Sequence, residues 1–332
     1  MRRHGLKVVL ISFAVLVLLS LSIGSFLFFR LFYRPMTSAS NGIITLKIDR
    51  ASTAAGFVHL LEEKHLIQSG PFFLAFIRFQ GLSHQLKAGI YQIGIGESAH
   101  QLLHRVVQGD VLKASFSIIE GTTQAQVSDS LAKADYLTYH ATDWLAIAGV
   151  YSRAEGLLLA DTYCYRAGSS SKEILTLAHT NLQIFLEQSW QKRSEGLPYK
   201  TPYELLIAAS IIEKETALPK EKRLISGIIA NRLRKNMPLQ MDPTVIYALG
   251  PHHVGQLTHE DLHIDSPYNS YRYRGLPPTP IAMVGKDAID AAAHPEKTNY
   301  LYFVATGAGD HYFSVTYEQQ KQAVARYRQE ER

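Results

Sequence analysis

The sequence predicts an α+β protein carried on a single N-terminal transmembrane helix. Three observations predict it. Residues 8–29 form an apolar run of Val, Leu, Ile, Phe and Ala, interrupted only by Ser and Gly. Residues 43–138 alternate short strand-like runs with amphipathic stretches opened by Ser or Thr. The remainder carries longer stretches of helical period and, in its last third, loops rich in Pro, Gly, Tyr and Asn.

At about 1.5 Å per residue the apolar run covers roughly 33 Å, enough to cross the hydrocarbon layer. A cleaved signal peptide has a shorter core, about 7–15 residues, and Ser38, Ala39 and Ser40 make a poor cleavage site. The run is therefore read as a retained anchor, residues 1–34. Arg2, Arg3 and Lys7 precede it and Arg30 and Arg34 follow, so the positive-inside rule places the N-terminus inside. These five basic residues equal the whole formal excess of +5. The rest of the chain is neutral, which removes electrostatic support for nucleic-acid binding. Cys164 is the single cysteine, so no disulfide framework or cysteine-based zinc site can be built.

Residues 35–42 are small and polar and read as a tether. Within 43–138 a strand at 43–48 leads to a helix opened by Ser52 and Thr53. A strand at 89–93 leads to one opened by Glu97 and Ser98, and a strand at 116–119 to one opened by Thr122 and Thr123. These units predict a small α+β domain. Residues 139–150 read as a connecting helix, and 151–332 as a second, mixed α+β domain. Its helices are expected at 172–190, 202–217, 220–235 and 318–328, with a hairpin formed by 300–304 and 311–315.

The helix over 202–217 carries the chemistry. Thr201, Pro202 and Glu204 read as a capping box with proline at the first helical position. Leu205–Ile212 is almost wholly apolar, yet Glu213 and Glu215 follow at once. Burying a carboxylate is costly unless it pairs or keeps its proton, and a carboxyl held neutral near pH 7 is a general acid. Glu213 projects between Leu206 and Ala209, while Glu215 lies about 200° around the helix and cannot work on the same bond. The alternative is structural: both carboxyls pair with bases, Lys222 or Arg232.

Asp242 before Pro243 reads as a helix N-cap, while Gln240 is free to bond a polar ligand. Tyr247, Tyr268, Tyr271 and Tyr273 suit a sugar groove, or ordinary packing. His259, Glu260 and His263 match the H-E-x-x-H pattern of zinc peptidases. Pro267 stops any helix soon after His263, and no third ligand is obvious, so a surface turn accounts for the match.

Five segments together carry a resemblance: ASIIEKETA at 209–217, LQMDPTVIY at 239–247, SPYNSY at 266–271, GLPPTPI at 275–281 and AAHP at 292–295. In this order they resemble the endolytic murein transglycosylase, or YceG-like, family. KAGIY at 87–91 and EGTT at 120–123 resemble that family's LysM-like N-terminal region. The resemblance implies a catalytic domain at 151–332 that cleaves peptidoglycan glycan strands between N-acetylmuramic acid and N-acetylglucosamine. Glu213 would be acid and then base, and a 1,6-anhydro ring would close without water, metal or cofactor. It implies sugar contacts from Gln240, Asp242, Thr244, Tyr247, Tyr268, Asn269 and Tyr271, with support from Glu155 and Asp161. It also implies the bacterial cytoplasmic membrane, an outside catalytic domain that limits strand length, and peptidoglycan synthases as partners. The chain departs from the family at Ala160, where proline is usual, so the turn there is expected to be looser. A zinc peptidase and a non-catalytic wall-binding scaffold are the alternatives.

Overall fold

Helix α1 (Arg2–Phe32) opens the structure, a computed structural model that describes residues 2–36 and 42–330. Its segment Ile11–Phe32 has a mean hydropathy of 2.4, and among the described residues it is the one helix long and apolar enough to cross a membrane. The chain is α+β and divides into two compact units. The first is Met1–Ala114 with Arg166–Gly168; the second is Ser115–Tyr165 with Ser169–Arg332.

In the first unit β1 (Ile44–Ile48) and β2 (Gly89–Ile93) pair antiparallel, with Leu46 opposite Tyr91. Between them in sequence lie α2 (Ala54–Glu63) and α3 (Gly70–Phe79), and α4 (Ala99–Gln108) follows. The expected openers act as caps: Thr53 accepts from the Gly56 N–H, and Ser98 forms a reciprocal box with Gln101. Leu46, Phe57, Leu61, Ile77, Tyr91 and Leu102 fill the core. Helix α3 was not expected from the sequence; its outward Phe72 and Phe79 are as apolar as its buried Phe73 and Ile77. The first residues of the expected tether are bonded to the start of α4. Pro35 bridges to Ser98, and the Met36 N–H donates to the Glu97 carbonyl at 2.8 Å. Residues 37–41, which include the weighed cleavage site, lie outside the described residues.

The second unit takes in Ser115 onward, including the end of the segment 43–138 read as the first domain and the connecting segment 139–150. Backbone bonds explain why. Gly121 donates to Met283, Met283 to Thr122, and Gln124 to the Glu155 carboxylate, tying the segment before α5 (Gln124–Ala132) to residues far along the chain. Strand β3 (Lys113–Ser117) starts earlier than expected and forms a two-stranded sheet with β4 (Thr162–Arg166), which sequence reading missed. The connecting helix contracts to α6 (Asp143–Ala148). Ala160 does not loosen its turn: its N–H, which proline lacks, donates to the Val284 carbonyl at 2.8 Å.

Helices α7 (Ser171–Gln191), α9 (Pro219–Arg234), α10 (Asp242–Leu249) and α11 (Lys286–Ala293) pack around α8 (Pro202–Glu215). Every residue from Leu205 to Ile212 is buried. Each large aliphatic side chain there contributes about 1.5–3 kcal/mol. Ser210 is fully enclosed; it donates to the Ile207 carbonyl and accepts the Ile281 N–H. The hairpin β5 (Tyr302–Ala305) and β6 (His311–Ser314) and helix α12 (Tyr317–Glu330) close the unit. Gly156, at φ +70°, permits a close approach: a Cβ there would stand 2.3 Å from the Pro280 ring.

Candidate active site

The last turn of α8 presents two carboxyls to different surroundings, as a two-residue separation on a helix requires. Glu213 is enclosed and fully engaged. Its Oε1 meets the Lys222 ammonium of α9 at 2.5 Å, with the two side chains 3% and 4% exposed. Its Oε2 accepts the Gly285 N–H at 2.9 Å, at the N-cap of α11. Of the two readings of Glu213, unpaired or bonded to a base, the contact with Lys222 is the one observed. Glu120 joins this cluster. A Cβ at Gly285 would collide with its carboxyl, and burial first, then the charge of Glu213, raises its pKa.

Glu215 is different. Among the described residues its carboxyl makes no hydrogen bond or ion pair, and it remains partly accessible at the surface. Surrounding protein desolvates it and the charge of Asp242 opposes ionisation, while Arg232 acts the other way; the net effect pushes the pKa up to about 8. The position contributes too, since a helix C-terminus disfavours negative charge. No ion pair joins Arg232 to Glu215 among the described residues; the Arg232 Nε donates to the Leu301 carbonyl and its Nη1 to the carbonyls of Pro238 and Leu239 and to Gln240 Oε1. The result is a carboxyl whose pKa lies above neutral and which has no hydrogen-bond partner among the described residues.

Helix α10 runs from this carboxyl to an aromatic group. Asp242, in its first turn, accepts from the Tyr271 hydroxyl, and Tyr271 in turn feels the charge of Glu215. Farther along, Tyr247 donates to Glu155 at 3.1 Å and tilts against Tyr268, with ring centroids 4.9 Å apart. Tyr268 is bonded to Thr279 at 2.8 Å. Burial raises the Glu155 pKa, and the Gln124 and Tyr247 donors pull it back. Asp242 and Gln240 are exposed and Tyr247, Tyr268 and Tyr271 half-buried; of these, Asp242 and Tyr271 lie close enough to Glu215 to feel its charge. A cavity of about 320 Å³ lined by Gly227, Asn231, Arg234 and Lys297 contains none of these residues.

With this geometry in place, comparison with known proteins decides the family. The model of the YceG-like family matches residues 46–326. The chain belongs to the YceG-like family. An endolytic murein transglycosylase of Bacillus subtilis is 29% identical over 330 residues, covering 92% of this chain and 90% of that protein. One of Streptococcus pneumoniae strain R6 is 28% identical over 315 residues, covering 82% of this chain but only 56% of the pneumococcal protein. The crystal structure of a yceG-like protein of Listeria monocytogenes aligns with a TM-score of 0.55 at 29% identity, over 85% of this chain and 99% of that one.

Within the YceG-like unit several expected sugar contacts prove to be internal. Thr244 is fully buried, donates to the Met241 carbonyl and meets the Ser270 hydroxyl at 2.8 Å. Asn269 is fully buried too, its amide holding the carbonyls of Leu262 and Ile264. Both residues shape the loop that carries Tyr268 and Tyr271. Glu155 is buried and acts through Tyr247. Asp161 is exposed and bonds the Thr162 N–H and Lys286. Asp242 is not an N-cap, because Met241 holds that position. The H-E-x-x-H segment folds as a turn whose helical part is the 3₁₀ stretch Asp261–His263. The two imidazoles stack, and His263 Nδ1 faces the His259 carbonyl at 2.7 Å. Sequence reading set Glu215 aside as facing away from Glu213; its raised pKa depends on burial and then on Asp242 and Arg232, which lie on other helices.

Proposed function

We propose that the protein is a membrane-anchored lytic transglycosylase that cleaves the bond between N-acetylmuramic acid and N-acetylglucosamine within peptidoglycan strands, with Glu215 as its acid and base. The observation that carries this reading is the unpaired Glu215 carboxyl with a pKa of about 8. The names of the curated relatives support the substrate and the reaction class.

In the proposed reaction Glu215 gives its proton to the glycosidic oxygen as the muramyl C1–O bond breaks. The resulting carboxylate then takes the proton of the C6 hydroxyl, whose oxygen closes on C1 to form the 1,6-anhydro ring. Protons balance, and water takes no part. The nucleophile is intramolecular and carries a high effective concentration, so a second catalytic carboxylate is unnecessary. Ordinary glycosidases place two carboxyls about 5–9.5 Å apart to flank one bond; here Glu213 is committed to Lys222. The Asp242 charge keeps the proton on Glu215, and Gln240, Asp242, Tyr271, Tyr268 and Tyr247 offer polar and aromatic contacts for successive sugars.

Helix α1 supports an anchor in the bacterial cytoplasmic membrane with the second unit outside, where shortening of new strands would accompany their synthases. In the first unit, two helices lie in sequence between two antiparallel strands, an arrangement that supports the LysM-like reading of this segment. The test is mass spectrometry of murein digested by the full chain. Anhydro ends from the parent, their loss in Glu215→Gln and their persistence in folded Glu213→Gln are expected. Reducing ends would move the enzyme to the hydrolases, and an active Glu215→Gln would end the assignment.

A further inference from the structure

The junction between α1 and the first unit is built of aromatic rings. Phe28 lies 5.8 Å from Phe76 of α3, and Phe32 lies 4.6 Å from Phe76 and 5.8 Å from Phe73, measured between ring centroids. Tyr33 stacks on His100 of α4 at 4.8 Å. With Pro35 and Met36 bonded to the start of α4, the end of α1 is fixed to the unit.

This attachment sets a depth. A bilayer core is about 30 Å thick, and the 22 residues Ile11–Phe32 rise about 33 Å. Phe28 and Phe32 then occupy the last turns before the far boundary of the core. Phe76 touches both, so α3 lies within roughly one helical turn of that boundary. The outward face of α3 is largely apolar: Phe72 is 66% and Phe79 89% exposed, with Pro71 and Ala75 exposed on the same helix, and Arg78 is its one exposed charge, on a side chain long enough to reach the headgroups. In water such a face is a liability; at the headgroup level, aromatic side chains are favoured.

We infer that α3 is an interfacial helix, with Phe72 and Phe79 seated in the headgroup–acyl boundary of the same bilayer that α1 crosses. The first unit then rests on the membrane surface. This inference depends on the anchor reading of α1. Interfacial helices bury their apolar face about 5–10 Å into this boundary, a depth that suits two exposed Phe side chains seven residues apart.

The experiment uses the full chain with Cys164→Ser, reconstituted in vesicles of phosphatidylglycerol and phosphatidylcholine. Nitroxide labels are attached to Phe72→Cys, Phe79→Cys, Phe26→Cys in the span and Glu63→Cys on an exposed polar surface. All four positions are exposed, so labelling removes no core packing. Collision rates with oxygen, which enters the membrane, and with a water-soluble nickel chelate are compared. The oxygen-to-nickel ratio at 72 and 79 is expected to exceed that at 63 several-fold and to approach that at 26. Nickel access at 72 and 79 equal to that at 63, with 26 still protected, overturns the inference alone. Nickel access at 26 as well overturns the anchor reading and this inference with it.

Discussion

Replacing Glu215 with Gln should make the protein more stable at neutral pH while abolishing its chemistry. The carboxyl pKa rises from 4.5 in a free chain to about 8 in the fold. The folded state therefore holds the proton more tightly than the unfolded chain. The stability linked to that proton is complete below about pH 4.5 and is lost as pH rises toward 8. At pH 7 the unfolded chain has ionised through about 2.5 pH units that the fold resists; at about 1.36 kcal/mol per unit this costs about 3 kcal/mol. Glutamine removes the cost. For a unit of this size the gain corresponds to roughly 6–12 °C in Tm. Trp144 and Trp190 both lie in the second unit, so their near-ultraviolet signal can follow its thermal unfolding. The gap between variant and parent should be near zero at pH 4.5 and widen steadily to pH 8. A gap independent of pH, or a variant less stable than the parent at pH 7, would refute the reasoning.

Three further outcomes are expected. Lys222→Met leaves the enclosed Glu213 carboxylate without a counter-charge and should lower stability by about 3–5 kcal/mol, with much of the loss recovered when Glu213→Gln is added; urea titration measures both. Asp242→Asn removes a charge that holds the proton on Glu215, so the alkaline limb of the pH–rate profile should move to lower pH while activity on the acid side persists. Gly156→Ala forces a left-handed backbone on a residue with a Cβ and drives that carbon into Pro280; a loss of about 1–3 kcal/mol should appear as a lower Tm.

Local signals in the sequence determined a good part of this protein. Thr53, Ser98, Thr123 and Thr201 each cap the helix they were expected to open, because a cap bond reaches only two or three residues ahead. Strand β2, the buried face of α8 and the apolar anchor were legible for the same reason: their periodicity and length lie within one continuous segment. The linked motifs of the second unit also carried the family. Tertiary structure alone decided which carboxyl is free. Glu213 and Glu215 are nearly equivalent in a linear reading, but Lys222 comes from the next helix and the Gly285 N–H from 72 residues away, and both meet Glu213. Thr244 and Asn269 looked like ligand contacts until the packed loop enclosed them. The first unit ends at Ala114 because bonds from Gly121 and Gln124 reach Met283 and Glu155. Desolvation and ion pairing depend on whatever the fold brings within a few ångströms, and separation along the chain does not encode that distance.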